Sequence, residues 1–182
     1  MPFTPFHVGL GVAAKGMAPR YVSLQVFALT QVLMDTEPAV RMALGHAEVH
    51  GWSHTLWGAL LVAAGACAVW RGIEGRRWYR WTVERVTARV VATSALLGAL
   101  SHVAIDALIH TDMVDVRTQW GGPVVPPWSH REAEIACLSA FLLGGVLLFA
   151  RGGHRAAVLW GRRVVQNLCA PPAWGRRVSS RE

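Results

Sequence analysis

A run apolar enough to lie in a bilayer, residues 90–110, carries His102, Asp106 and His110 at i, i+4 and i+8. At 100° per residue those three side chains fall within about 80° of arc, so they share one helix face. Ionisable groups inside such a segment are costly to bury, and they face a bundle interior or a wet cavity, where they mark function. This feature restricts the fold more than any other. The segment has to be a helix, the helix has to be surrounded, and its polar face needs partners from elsewhere in the chain. Imidazole and carboxylate are ordinary ligands of zinc and similar ions, and an i, i+4 pair grips one ion from a single helix.

Composition supports the bilayer reading. Only 16% of the residues are charged, against about a quarter in a soluble domain, and mean hydropathy is +0.32. The 182 residues suit one domain better than two. The net charge of +7 points to nucleic acid only until the basic residues are placed. Arg71, Arg76, Arg77, Arg80, Arg85 and Arg89 lie between two apolar runs, and Arg151, Arg155, Arg162, Arg163, Arg176, Arg177 and Arg181 follow the last one. Clusters at the ends of hydrophobic spans obey the positive-inside rule. They read as cytoplasmic anchors, which disfavours nucleic acid as a partner. Cys67, Cys137 and Cys169 show no C-x-x-C spacing and read as small buried hydrophobes. The N-terminus lacks the basic and long apolar regions of a cleavable leader.

In chain order, residues 5–17 form a short apolar piece with His7 near its start, predicted as a partly inserted or tightly packed helix. Segments 21–34, 55–70, 90–110 and 135–150 are predicted to cross the membrane. The expected fold is an all-α integral membrane bundle of about four membrane-crossing helices plus a short N-terminal helix. This membrane domain covers residues 1–151, and residues 152–182 form a basic cytoplasmic tail with an amphipathic piece around 154–168. Residues 111–131 read as a polar, mobile cover. Ser53 reads as an N-cap; a helix starting there would leave His50 and His54 on different faces, whereas an earlier start would align them.

With the arginine clusters inside, 15 of the 18 basic residues are cytoplasmic and only Arg41, Arg117 and Arg131 lie outside. The acids and histidines sort the other way. Asp35, Glu37, His50, His54, His102, Asp106, His110, Asp112 and Asp115 gather at the outer ends of three segments, and an inward-pointing first helix brings His7 there too. Within this group Asp112 and Asp115 read as solvent-facing, as does His46; His130 and His154 carry no signal. There is no G-x-S-x-G elbow, phosphate loop or H-E-x-x-H.

The order T-P-F-H at the N-terminus, D-x-E-P after the next helix, H-x-x-x-H-T opening a third and S-H-x-x-x-D in a later one resembles the membrane-bound, metal-dependent hydrolases of bacteria, the YdjM-like inner-membrane proteins. That family is in turn similar to the helical zinc phospholipase C and single-strand nuclease superfamily. The likeness covers roughly residues 1–130 and marks His7, Asp35, Glu37, His50, His54, His102 and Asp106. This chain departs from the family's P-D-x-D-H by Met34, Glu37 and Pro38, and its histidine pair is one residue closer than H-R-G-x-T-H.

The expected function is a membrane-bound hydrolase of a phosphoester, such as a lipid head group, in the bacterial inner membrane. His7, Asp35, His50, His54, His102 and Asp106 are the expected ligands of a divalent ion, zinc first, and Glu37 is the expected general base. The rival expectation is a non-enzymatic membrane protein that moves or senses metal ions or protons.

Overall fold

The computed structural model describes residues 7–74, 86–119, 121, 123, 125 and 127–153, and within them every regular element is helical. Seven α-helices follow in order: α1 Val8–Met17, α2 Leu24–Met34, α3 Thr36–Ala43, α4 Leu56–Glu74, α5 Ala88–Ile109, α6 Val114–Gln119 and α7 His130–Leu148. The basic tail and the centre of the arginine-rich link, with the amphipathic piece at 154–168, lie outside the described residues.

Among the described residues, three helices are long and apolar enough to cross a membrane: α4, α5 and α7 with its continuation to Gly152. Their starts are set by local chemistry. Thr55 Oγ1 accepts from Gly58 N at α4, Thr87 Oγ1 from Val90 N at α5, and Ser129 with Glu132 forms a capping box at α7. Ser53 therefore does not cap α4; it sits in a 3-10 turn, Trp52–His54, one residue before the cap. Over its most apolar stretch α5 is 56% buried, against 28% for α4 and 17% for α7, so α5 is the centre post. Leu61 and Val69 on α4 and Ile135, Leu138, Leu142 and Val146 on α7 stay exposed, an outer surface suited to hydrocarbon.

The expected fourth crossing helix at 21–34 is shorter than that. Ser23 caps α2 at one end and the chain bends at Asp35 into α3 at the other, leaving 11 residues. That is about 16 Å at 1.5 Å per residue, half of a hydrocarbon core of about 30 Å. With α1 it makes a short helical hairpin inserted between the long helices, with His7 and Asp35 at its two open ends. Its tip reaches the level of Ser94, whose Oγ accepts from Ser23 N at 2.8 Å. That point lies 12 residues, about 18 Å, along α5 from Asp106.

A hairpin tip inside apolar surroundings exposes carbonyls that need donors. Lys15 Nζ donates to Pro19 O and Val22 O, both at 2.6 Å, and Arg151 donates to Gly16 O and Met17 O. The flank of α1 lies directly on the α7 backbone. A Cβ at Gly9 would stand 2.2 Å from Cys137 O, and one at Gly144 2.4 Å from Val12 O. Only glycine permits that approach, as between membrane helices generally. Replacing Gly144 by alanine is expected to destabilise the protein by about 1–3 kcal/mol through overpacking. Gly145→Ala, which meets nothing within 4 Å, is expected to be neutral or to stabilise by up to about 1 kcal/mol. Thermal unfolding of the two variants in detergent checks the contrast.

Candidate metal centre

Asp106 lies on α5 with its carboxylate almost entirely buried, and ring nitrogens from four parts of the chain converge on it. His102 precedes it by one turn of α5. His7 arrives at the N-terminal end of α1, His50 and His54 come from the turn before α4, and His110 sits at the C-terminal end of α5. The two carboxylate oxygens divide these rings. His102 Nε2 (3.1 Å), His54 Nε2 (3.2 Å) and His50 Nε2 (3.7 Å) stand at Oδ2, while His7 Nε2 (3.3 Å) and His110 Nε2 (3.7 Å) stand at Oδ1. Asp35, where α2 turns into α3, places Oδ1 3.3 Å from His102 Nε2. His7 stacks on His102 with ring centroids 4.5 Å apart, and His50 tilts against His110 at 4.4 Å.

The far nitrogens of three rings are held by groups behind them. Gln31 Nε2 donates to Gly98 O at 2.9 Å, which turns Gln31 Oε1 toward His102; His102 Nδ1 donates to it at 2.6 Å. Ser53 Oγ and His54 Nδ1 share a hydrogen bond of 3.0 Å. Asp112 Oδ2 accepts from Val49 N and His50 N, and His50 Nδ1 donates to the same carboxylate at 2.9 Å. In each case Nδ1 is engaged and Nε2 faces Asp106. For His102 and His50 the acceptor behind Nδ1 fixes the tautomer that leaves Nε2 toward Asp106, while the Ser53 hydroxyl can donate to or accept from His54.

His54 Nε2, His102 Nε2 and both nitrogens of His7 are fully buried without a hydrogen bond, although carboxylate oxygens lie only 3.1–3.3 Å from the three Nε2 atoms. Nitrogen and oxygen donors held at 2.0–2.1 Å around one tetrahedral ion are about 3.3 Å apart. Orphaned ring nitrogens at that spacing fit a divalent cation. Both His50–His54–Asp106 and His50–His110–Asp112 present three ligand atoms within 4.8 Å of one another.

Electrostatics favour neutral rings at the rim. Burial lowers the His54 pKa, and the nearby Asp106 charge only partly offsets it. Burial likewise pushes His110 down to about 4. Asp112 is pushed up by burial but lowered more by its hydrogen bonds from His50. Burial also raises Glu37, yet hydrogen bonds from Ser53 and Arg41 outweigh it and hold its carboxyl below the ordinary range.

Six of the residues expected from sequence, His7, Asp35, His50, His54, His102 and Asp106, come together here. Glu37 is placed differently: Oε2 accepts from Ser53 N at 2.8 Å and Oε1 from Arg41 Nε at 3.0 Å, so it clamps the histidine-bearing turn. Gly51 lies so close to that clamp that a Cβ would stand 2.0 Å from Glu37 Oε1. Asp112, read from sequence as solvent-facing, supports His50. Residues 111–119, expected as part of a polar cover, form a 3-10 turn and α6. His46 is exposed as expected. Gln31 was not anticipated, though its place in an apolar segment one turn before Asp35 puts both on one helix face. No protein-family model, no curated protein and no solved structure matches the chain.

Gln31→Leu, which keeps the volume and removes the acceptor, is expected to weaken zinc binding by about 10–100-fold, as loss of a partner behind a ligand does; titration against a competing chelator measures it. The His110 shift gives a pH signature. A histidine whose pKa is depressed by folding contributes no penalty above its unfolded value of about 6.5, and destabilises as pH falls from there toward 4. Metal-free wild type is therefore expected to lose thermal stability relative to His110→Asn over that window, and melts at pH 7.5, 6 and 4.5 check it.

Proposed function

We propose that the chain is a membrane-bound hydrolase that depends on a divalent metal ion, zinc first, and cleaves a phosphoester such as that of a lipid head group. The observation that carries this reading is the convergence of buried, unbonded Nε2 atoms of His7, His54 and His102 on the Asp106 carboxylate. His50, His54 and Asp106 would hold one ion, with His102 Nε2 in reach at 3.1 Å from Asp106 Oδ2. His50, His110 and Asp112 offer a second group of ligands.

A bound ion of this kind supplies Lewis acidity and a lowered pKa for a water molecule. The protein's own residues do the rest. Gln31, Ser53 and Asp112 keep the Nε2 atoms aimed inward. Asp35, beside His102 and with its side chain 34% exposed, is the carboxylate placed to accept a proton from an attacking water. Glu37 holds the turn that carries His54. The arginine distribution supports placing this end of the bundle on the extracytoplasmic side of a bacterial inner membrane.

Elemental mass spectrometry on the detergent-purified protein tests the reading. About one or two equivalents of zinc or another divalent ion are expected in wild type. The His102→Ala/Asp106→Ala double variant is expected to lose them at unchanged yield, and hydrolysis of a phosphodiester such as bis(p-nitrophenyl) phosphate should be lost with them. A metal-free wild type, even after reconstitution with zinc, would sink the hydrolase and leave a proton relay.

A further inference from the structure

Beside the histidine centre, α2, α3, the Trp52–His54 turn and α4 enclose a groove of about 550 Å³. Its floor is apolar. Val62, Gly65 and Val69 of α4 follow one another at spacings of three and four, a single stripe running about 10 Å down the helix, and Leu33 of α2 faces them across the groove. Gly65 leaves open space where a side chain would stand, and Val69 is 43% exposed. The stripe lies on the outer flank of a helix long and apolar enough to span a bilayer, so the medium against it is hydrocarbon.

The upper rim differs in kind. Arg41 and Glu37 stand there with Ser53, and the Arg41 side chain is 34% exposed. Ser53 belongs to both places: it lines the groove and its hydroxyl holds His54 Nδ1. An occupant of this cavity has an apolar body, lies along a membrane helix, and ends against the Arg41 guanidinium, which pairs with Glu37, the carboxylate that holds the backbone N–H of Ser53 beside His54. A guanidinium at such an end recognises phosphate oxygens.

We propose that the groove is a lateral binding site for one acyl chain of an anionic phospholipid, whose phosphate lies against Arg41 at the edge of the histidine centre. Binding of the lipid stands on the groove; that the bound lipid is also the substrate rests on the metallohydrolase reading. The groove lies between α2 and α4, so the chain enters it from the side. The amphiphile needs no passage through water to reach the site.

The test uses the full chain in nanodiscs of phosphatidylcholine containing phosphatidylglycerol with a diazirine at the end of one acyl chain. Cross-linked peptides are mapped by mass spectrometry. Labelling of residues 62–69 is expected to exceed that of the outward stripe of α7 several-fold and to fall when unlabelled phosphatidylglycerol is added. Gly65→Trp fills the groove and should abolish the excess; Gly145→Trp, at an equally open glycine on α7, should leave it intact. Arg41→Gln should reduce the preference for phosphatidylglycerol over a phosphatidylcholine probe. Equal, non-saturable labelling of α4 and α7 would mean annular lipid only and overturns the proposal. Metal content is read on the same samples. Selective labelling of a metal-free protein keeps the lipid site and removes the substrate assignment.

Discussion

Everything in this fold answers to one buried carboxylate. Asp106 is 3% exposed in the last turn of the most enclosed helix of the bundle, where an uncompensated charge would cost several kcal/mol. Five imidazoles surround it, and only His102 and His110 come from its own helix. The remaining three have to be delivered by other elements. A simple up-and-down bundle would leave those positions to apolar side chains. The short hairpin and the glycine-bound turn before α4 are departures from such a bundle, and each delivers ligands to Asp106.

The hairpin illustrates the trade. Two helices of ten and eleven residues leave helix ends within the bundle, and such ends carry unpaired backbone groups. Lys15, Arg151 and the Ser23–Ser94 pair satisfy them, while Gly9 and Gly144 let α1 approach α7 closely enough to exclude lipid. In return His7 and Asp35 reach the Asp106 level from opposite arms of one hairpin. A full-length crossing in place of either arm would put that arm's ligand about 15 Å from the site, given 1.5 Å per residue and a core of about 30 Å.

Much of the candidate site was legible because its residues are chemically out of place. A histidine or aspartate in a membrane-grade segment stands out whatever its neighbours, and His102 with Asp106 needed only helical periodicity to be paired. His50 and His54 were legible as residue types, but the start of α4 at Leu56 rather than Ser53 depended on Thr55 winning the cap. The groups behind the ligands were harder to see. Gln31 is unremarkable in sequence, and its role exists only through long-range packing against Gly98 and His102, whereas Ser53, which reads as an N-cap, instead holds the ring of its neighbour His54. Asp112 looked solvent-facing because nothing local reveals that His50, 62 residues earlier, folds over it. Glu37, expected as the general base, has its oxygens against Ser53 N and Arg41, partners that no local pattern in the sequence reveals. The length of the fourth apolar segment was misjudged for a related reason. Hydropathy records that 21–34 is buried, and burial inside the bundle gives the same signal as crossing the bilayer.

The distribution of polar groups along α5 also separates a site from a pathway. A relay or a transport route needs ionisable or hydrated groups continuing from the centre toward the far end of the helix. Below His102 the buried side chains of α5 are Val91, Ser94, Ala95 and Ala99, and the facing side of α2 supplies Val26, Phe27, Thr30 and Gln31. Each polar group among them is already engaged: Ser94 with Ser23 N and Val90 O, Thr30 with Val26 O, Gln31 with His102 and Gly98 O. Small residues and spent hydroxyls form a plug about 18 Å deep between the centre and the hairpin tip. Such a plug leaves the Asp106 centre at one end of the bundle, with no continuous run of free polar side chains toward the hairpin tip on the described faces of α5 and α2.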